Sequence, residues 1–232
     1  MRQIVLDTET TGLEPSQGHR IIEIGCVEIV DRRITGNRFH RYLNPERDIE
    51  EGAVRVHGIT LDELRSKPRF ADIVEEFLDF VRGAELVIHN ADFDIAFLDH
   101  ELKRLGDRWG SMADHCTVLD TLKLARELHP GQRNSLDALC RRYGVDASER
   151  ELHGALLDAR LLAEVYLAMT GGQAALTLET ETAPATQMVA PGTRGDRPPL
   201  RVVRASPEEL EAHRRRMAAI DEASGGRAVW KP

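Results

Sequence analysis

The hydrophobic positions in the first third of the chain change from strand-like to helix-like spacing. Short apolar runs rich in β-branched residues predict strands over Arg2 to Leu6, Arg20 to Val30 and Arg33 to Leu43. From Phe70 to Val81, apolar residues recur at the three- and four-residue spacing of an amphipathic helix, which Gly83 ends. The chain is therefore predicted to open with a three-stranded meander followed by a helix.

Strands and helices alternate in the segment that follows. Short apolar runs predict strands over Glu85 to His89 and Cys116 to Leu119. Helical spacing predicts helices over Ala91 to Leu105, Asp120 to Leu128, Ser135 to Tyr143 (with Asn134 as N-cap) and His153 to Met169. A block of strands followed by strands that alternate with helices is typical of a mixed sheet covered by helices. Residues 1–172 are therefore assigned to the α/β class.

The composition changes after residue 172. The stretch from Gly171 to Leu200 holds four of the ten prolines and no aromatic residue that could anchor a core. We expect a flexible linker over residues 173–200.

Helical signals return in the last segment, residues 201–232. Ser206 is a predicted N-cap, Pro207 occupies the first helical position, and Glu209 completes a capping box. The apolar stripe of this helix is narrow and consists of Leu210, Met217 and Ile220. A lone helix of this kind is expected to dock on a partner; the alternative is that it folds back on the main domain.

Charge and cysteine content narrow the classes of protein. The 31 basic and 39 acidic residues give a net charge of −8, which argues against nucleic-acid binding through a general basic surface. A carboxylate-lined enzyme whose metal ions supply positive charge remains compatible. The cysteines (Cys26, Cys116 and Cys140) are odd in number and widely spaced, which fits a reducing compartment. No apolar run approaches the roughly 20 residues that span a bilayer, so we expect a cytoplasmic protein without a membrane segment.

Acidic residues that follow the first predicted strand are candidates for chemistry. Asp7 and Glu9 precede the turn that contains Thr10 and Gly12, and α/β sheets bind ligands at such positions. Side chains two residues apart on a strand point to the same face and can hold one cation. Asp-x-Glu also occurs at residues 48–50 and 99–101, so the spacing alone has little weight.

A second acidic segment and a histidine extend this set. Asp94 follows the strand that ends at His89, and the competing Asp92 is more typical of a charge at a helix N-terminus. His153 begins the last predicted helix of the domain, and Asp158 lies one turn further on, although a capping histidine and a solvated aspartate would give the same pattern. Four carboxylates without cysteine ligands favour oxygen-coordinated ions such as Mg²⁺ or Mn²⁺.

Three segments, taken together, resemble the motifs of the DEDD superfamily of exonucleases in its histidine-bearing branch. They are Ile4-Val-Leu-Asp-Thr-Glu-Thr-Thr-Gly12, His89-Asn-Ala-Asp-Phe-Asp94 and His153-Gly-Ala-Leu-Leu-Asp-Ala159. Further stretches resemble in particular the family of proofreading epsilon subunits of bacterial DNA polymerase III. These stretches are Val56 to Ile59, Asn134 to Cys140 and Leu161 to Gln173, and the resemblance resumes from Leu200 to Trp230.

The resemblance implies a ribonuclease H-like fold with a mixed five-stranded sheet flanked by helices. It implies an activity that removes nucleotides from the 3′ end of DNA as nucleoside 5′-monophosphates. Asp7, Glu9 and Asp158 match direct metal ligands, and Asp94 matches the acid that holds the second of two Mg²⁺ or Mn²⁺ ions. His153 matches the general base.

The substrate contacts implied by the resemblance involve Asp7, Glu9 and Asp158 together with three further residues. Thr10 and Gly12 lie in the loop expected to approach the terminal nucleotide, and His57 matches a position beside it. Gly52 departs from the family, which is expected to carry an acidic residue on the substrate side at this position. Glu51 is the neighbouring candidate to replace it.

Partners are implied as well. Gln173, Leu176 and Leu178 belong to a segment similar to the short motif with which replication proteins hold the sliding clamp (beta). Residues 201–232 match the segment that grips the catalytic (alpha) subunit of DNA polymerase III. The sequence leaves open whether a small accessory (theta) subunit also binds.

Three functions are therefore compared. The leading hypothesis is a proofreading 3′→5′ exonuclease on residues 1–172, tethered to a replicative polymerase. A free repair or RNA-trimming nuclease would keep the chemistry, but the linker and terminal helix count against it. A catalytically silent adaptor between polymerase and clamp would have no need of the five candidate catalytic residues.

Overall fold

A five-stranded sheet organises the larger part of the protein in the computed structural model, which describes residues 1–148, 150, 152–171 and 205–225. The strand order is β3-β2-β1-β4-β5. β1 pairs antiparallel with β2 and parallel with β4, β2 pairs antiparallel with β3, and β4 pairs parallel with β5. The strands are β1 (Arg2–Thr10), β2 (Ile21–Val30), β3 (Arg33–Tyr42), β4 (Glu85–Ile88) and β5 (Thr117–Asp120). The mixed five-stranded sheet expected from the sequence is confirmed.

Helices connect the strands and follow them along the chain. The first five are α1 (Glu51–His57), α2 (Leu61–Leu64), α3 (Phe70–Val81), α4 (Ala91–Leu105) and α5 (Met112–His115). The others are α6 (Thr121–Leu128), α7 (Leu136–Tyr143), α8 (Ala155–Thr170) and α9 (Pro207–Ala223). Among the described residues, no helix is both long enough and apolar enough to cross a membrane.

Apolar side chains pack on both faces of the sheet. Ile4 and Leu6 of β1 join one core with residues of α3 and α4. Val5 points the opposite way, into a second core with residues of α7 and α8. Because side chains alternate along a strand, Asp7 and Glu9 share the face of Val5, which α8 covers. The central strand thus directs its carboxylates towards a helix that carries another.

The structure differs from the sequence prediction at three element ends. β1 continues to Thr10 instead of ending near Leu6, because its pairing with β2 extends to Ile21. Ser135, not Asn134, caps α7, since the Ser135 hydroxyl accepts from the Ala138 amide at 3.4 Å. α8 begins at Ala155 with Gly154 as its cap, so His153 precedes the helix.

The second described segment is the terminal helix α9. The chain divides into two compact units, Met1–Thr177 and Leu178–Pro232. The predicted capping box is present, because the Ser206 amide donates to Glu209 at 2.7 Å and the Glu209 amide donates to the Ser206 hydroxyl at 3.2 Å. Leu210 and Ile220 are 45% and 44% exposed. The predicted linker, with Gln173, Leu176 and Leu178, lies outside the described residues.

Candidate active site

The closest approach in the site is between β2 and the start of α8. Gly25 of β2 is the register partner of Asp7. A Cβ atom on Gly25 would lie 2.2 Å from the Leu156 amide nitrogen and 2.4 Å from the Ala155 carbonyl oxygen. Only a residue without a side chain allows this contact. The helix start therefore lies against the sheet beside Asp7, and its first turn carries Asp158.

A buried glutamate fixes the start of α8. Glu23 is the β2 partner of Glu9, and one of its carboxylate oxygens accepts a hydrogen bond from the Ala155 amide at 3.1 Å. Its other oxygen lies 2.7 Å from Nε2 of His40 on β3. A carboxylate at a helix N-terminus accepts from an amide that has no partner within the helix and interacts favourably with the helix dipole. Glu23 thus positions the segment that carries His153 and Asp158.

The fourth acid comes from the start of α4. Asn90 precedes this helix with a left-handed backbone conformation (φ 68°, ψ 54°). Asp94 is buried, and its Oδ1 accepts a hydrogen bond from the Thr8 hydroxyl at 2.7 Å. Asp92, by contrast, is exposed and pairs with Lys123 at 3.2 Å. The structure therefore brings Asp94 into the site and leaves Asp92 on the surface.

The predicted catalytic residues line one cavity of about 710 Å³. Ligand atoms of Glu9, His153 and Asp158 all lie within 4.8 Å of one another. Asp7 and Asp94 line the same cavity. The site therefore combines four carboxylates and one imidazole at the end of β1.

Three of these acids hold their protons more tightly than usual. Burial, followed by the charges of Asp94 and Glu9, raises the pKa of Asp7 well above its ordinary value. Burial is also the main cause for Glu9, whose pKa rises to about 8, and for Asp94, whose pKa rises to about 7 against the lowering effect of the Thr8 hydrogen bond. Clustered buried carboxylates favour a bound cation, which would replace the protons and reverse these shifts.

Asp158 has a different environment because Arg150 neutralises it. The Arg150 guanidinium donates from Nε to Oδ1 at 2.5 Å and from Nη2 to Oδ2 at 2.6 Å. Burial alone would raise the pKa of Asp158, but hydrogen bonds from His153 and Arg150 and the Arg150 charge outweigh it and leave the pKa below its ordinary value. Arg150 also binds Asp137 of α7, so it joins two helices at the site.

His153 lies beside this ion pair. Its Nδ1 is 3.3 Å from Oδ2 of Asp158 and 2.9 Å from Nη2 of Arg150. The hydrogen bond to Asp158 is the main reason that the pKa of His153 is raised, against the lowering effects of burial and of the Arg150 charge. Arg150 has no local signal in the sequence, because its position between Glu149 and Glu151 has the pattern of a solvated charged loop.

Four of the six predicted substrate residues line a second cavity of about 400 Å³ beside the first, whereas Asp7 and Asp158 line only the first. Thr10, Gly12 and His57 contribute to its wall, and Glu9 and Phe93 line both cavities. His57 is buried, and its Nδ1 accepts from the Ile59 amide at 3.0 Å, so Nε2 carries the proton.

Gly52 lines the second cavity, but Glu51 does not replace the missing acidic side chain there. Glu51 is exposed and lies 3.9 Å from Arg55. Glu50 is the acidic residue in the cavity wall, and its carboxylate lies 3.0 Å from Nε2 of His19. The expectation that Glu51 takes this place is wrong, because α1 directs Glu51 towards solvent.

Residues 4–166 match the family model described as Exonuclease (RNase_T). The DNA polymerase III subunit epsilon of Salmonella typhimurium LT2 is 53% identical over 242 residues, which cover 99% of this chain and 97% of that protein. The subunit of the same name from Escherichia coli K12 is 50% identical, with the same coverage. A solved structure of Exonuclease X in complex with 5′ overhanging duplex DNA superposes with a TM-score of 0.56 and 27% identity, over 72% of this chain and 90% of that one.

These matches agree with the geometry of the site. The family model includes β1, the start of α4 and the start of α8, which together carry all four acids and His153. The two epsilon subunits match almost the full length, including the terminal segment. The chain belongs to the exonuclease family and, within it, to the epsilon subunits of DNA polymerase III.

Proposed function

We propose that this protein is the proofreading 3′→5′ exonuclease subunit of a bacterial DNA polymerase III. The observation that carries the proposal is the convergence of Asp7, Glu9, Asp94, Asp158 and His153 in one cavity. This convergence occurs in a chain that is similar to epsilon subunits over nearly its whole length. The protein hydrolyses the phosphodiester bond at the 3′ end of DNA and releases nucleoside 5′-monophosphates.

The donor set fits divalent cations. Asp7, Glu9 and Asp158 would hold one Mg²⁺ or Mn²⁺ ion directly, and Asp94 would hold a second. The raised pKa values of Asp7, Glu9 and Asp94 support this assignment, because these three carboxylates are buried together and the one guanidinium among the cavity's catalytic groups, Arg150, pairs with Asp158 instead. Bound ions would make a water molecule more acidic and stabilise negative charge on the phosphate oxygens.

His153 is the proposed general base. Nδ1 of His153 can accept from Nη2 of Arg150 at 2.9 Å or donate to Oδ2 of Asp158 at 3.3 Å, but it cannot do both. The basic form is the tautomer that donates Nδ1–H to Asp158, because it leaves the lone pair on Nε2 to accept the proton of the attacking water. Asp158 raises the pKa of this imidazole, so Nε2 is a stronger base than a free histidine. Arg150 limits the shift, because its charge disfavours the imidazolium.

The second cavity would receive the terminal nucleotide. Thr10, Gly12 and His57 line it, and Glu9 and Phe93 lie between it and the catalytic cavity. A nucleotide seated there would place its 5′-phosphate at the carboxylates, with His57 in the wall beside it. Asp7, Glu9 and Asp158 would contact the phosphate through the ions.

Digestion of 5′-labelled single-stranded DNA by the full chain tests the activity. We expect a ladder that shortens from the 3′ end with Mg²⁺, no digestion with EDTA, and a strong loss in the His153→Ala variant. The exposed His213 of α9 provides the control, because His213→Ala should leave digestion unchanged. Intact DNA after incubation with folded wild-type protein would contradict the activity and favour the adaptor alternative.

The partners are part of the proposal. Residues 201–232 would bind the catalytic (alpha) subunit, supported by the exposed Leu210 and Ile220 on α9. Gln173, Leu176 and Leu178 would contact the sliding clamp (beta), and a small accessory (theta) subunit is a further candidate partner. The free thiols of Cys26, Cys116 and Cys140 are in keeping with a reducing cytoplasm.

Binding to the polymerase is tested separately from catalysis. In the full chain, Leu210→Asp with Ile220→Asp should abolish co-purification with the alpha subunit while DNA digestion continues. A variant with Glu208→Gln, on the same helix, serves as the control. Retention of the alpha subunit by the double variant would contradict the docking role of the stripe and support the alternative in which α9 folds back.

A further inference from the structure

Two cavities meet at the carboxylates, and the terminal nucleotide would occupy only one of them. The smaller cavity, about 400 Å³, lies on the side of Thr10 and His57. The larger cavity continues past the carboxylates to α6 and to the connection between α6 and α7. An exonuclease must also hold the strand that remains after the terminal nucleotide is removed. This inference rests on the proposed function and asks where that strand lies.

Polar groups and one arginine line the far part of the larger cavity. Leu122 and Arg126 are four residues apart on α6, so they share a face of the helix, and both line the cavity. Gln132 and Asn134 line it from the connection to α7, and His89 lines it from the end of β4. This wall offers hydrogen-bond donors and carries none of the four metal-site acids.

Arg126 is the available positive charge in this wall. The other arginine of the cavity, Arg150, is held by Asp137 and Asp158. The nearby acids Asp92 and Asp120 both pair with Lys123. Within the described part of the chain, Arg126 makes no ion pair and no side-chain hydrogen bond. Its charge is therefore free to bind an anion from solution.

His89 and Arg126 line the same cavity. The imidazole of His89 lines the cavity and is fixed by a contact of 3.0 Å between its Nδ1 and the Thr121 hydroxyl. Burial is the main cause of the lowered pKa of His89; Asp120 and a backbone hydrogen bond with Asn134 oppose it, and the Arg126 charge adds to it. A neutral His89 beside Arg126 leaves the guanidinium as the charged group.

We propose that Arg126, together with Gln132, binds a phosphodiester of the retained DNA strand, on the 5′ side of the bond that is cleaved. A guanidinium binds phosphate oxygens through paired hydrogen bonds, and the side-chain amide of Gln132 can donate to the same backbone. The strand would then pass from the terminal-nucleotide cavity, across the four carboxylates, to α6. Contacts with the backbone alone would make this binding independent of base sequence.

Two substrates distinguish binding of the retained strand from hydrolysis of the scissile bond. The first is a 5′-labelled oligodeoxynucleotide. The second is the p-nitrophenyl ester of thymidine 5′-monophosphate, which has the terminal nucleotide and a scissile phosphate but no retained strand. Full-length wild type, Arg126→Ala and Arg126→Lys are compared with Arg104→Ala, which removes the same charge from an exposed position on α4 that does not line the cavity.

We expect Arg126→Ala to raise KM for the oligonucleotide by about fivefold with kcat within twofold, and to lower the slope of log KM against log salt by about one. Arg126→Lys should recover part of the loss, and Arg104→Ala should match wild type. Hydrolysis of the nitrophenyl ester should be unchanged in all three variants.

An oligonucleotide KM within twofold of wild type for Arg126→Ala would overturn the proposal, and so would an equal loss on both substrates. Failure of the wild type to hydrolyse either substrate with Mg²⁺ would instead contradict the exonuclease activity itself. The two failures are therefore distinguishable.

Discussion

The carboxylates in the two halves of the catalytic cavity have pKa values shifted in opposite directions. On the sheet side, Asp7, Glu9 and Asp94 crowd together, and their pKa values are raised. On the helix side, Arg150 neutralises Asp158 and lowers its pKa. The sheet side would therefore be stabilised by a cation from solution, whereas Asp158 on the helix side already has Arg150 as its partner. Variants that change only one half show how far the two are independent.

The largest effect is expected on the sheet side. Asp7→Asn combined with Glu9→Gln should reduce DNA hydrolysis by about a thousandfold or more, because the ions lose two of their ligands. Digestion of labelled DNA at saturating Mg²⁺ measures the loss. Asp92→Asn changes an exposed carboxylate two residues before Asp94 and should stay within twofold of wild type. Substantial turnover by the double variant would mean that the ions bind elsewhere.

Arg150→Met should be the next largest change, because it leaves Asp158 and Asp137 without their partner. Removal of one member of a buried ion pair costs about 3 kcal/mol, which for a domain of this size lowers Tm by roughly 5–10 °C. We also expect kcat to fall, since His153 and Asp158 lose an anchor. Thermal unfolding without metal is the measurement, and Arg141→Met on α7 is the control. An unchanged Tm would show that Arg150 does not hold the two helices.

The pH dependence of stability should come from the sheet side. The pKa of Glu9 rises to about 8 and that of Asp94 to about 7 in the folded protein, so the native state binds more protons than the unfolded state between about pH 4 and pH 8. Stability is therefore lost as the pH rises through this range. In EDTA, Tm should fall by several degrees from pH 5 to pH 8, and less so in Glu9→Gln. Added Mn²⁺ should restore Tm mainly at the upper end. A rising Tm would contradict the assignment.

The smallest effect is expected from Thr8→Val, which removes the hydroxyl that donates to Asp94. Loss of this hydrogen bond should raise the pKa of Asp94 further and weaken the second ion by about threefold. Titration with Mn²⁺, followed by electron paramagnetic resonance, measures the affinity. Thr8→Ser keeps the hydroxyl and should behave as wild type. Equal weakening in both variants would point to packing instead of the hydrogen bond.

Elements with a recognisable apolar pattern could be predicted from the sequence, and three short helices could not. Apart from the end of β1, the strands and the helices over 70–81, 91–105 and 121–128 were predicted close to their observed bounds. α1, α2 and α5 have only seven, four and four residues, too few for a period to be recognised. The end of β1 was placed too early, since Asp7 to Thr10 are polar and remain in the strand through pairing with β2.

The same limit applies to the site. Asp7, Glu9 and Asp94 could be singled out because each follows an apolar run that predicts a strand, and His153 and Asp158 because they lie at a predicted helix start in a segment that resembles a family motif. Arg150 and Glu23 could not, because their roles arise from contacts with residues distant in sequence: Asp137 and Asp158 for Arg150, and the Ala155 amide for Glu23. Contacts between residues that are distant in sequence cannot be predicted from the spacing of residues within one segment.

The contact at Gly25 has a consequence for the enzyme at high temperature. The backbone of β2, which pairs with the Asp7 strand, contacts the backbone of the Asp158 helix there, so the separation between β2 and this helix does not depend on side-chain motion. His153, in contrast, lies on a loop, and its side chain is 47% exposed. On heating, the His153 imidazole would become misaligned while the carboxylates still keep their positions. Loss of proton transfer would then precede loss of the ions, and the temperature of inactivation would lie below that of unfolding.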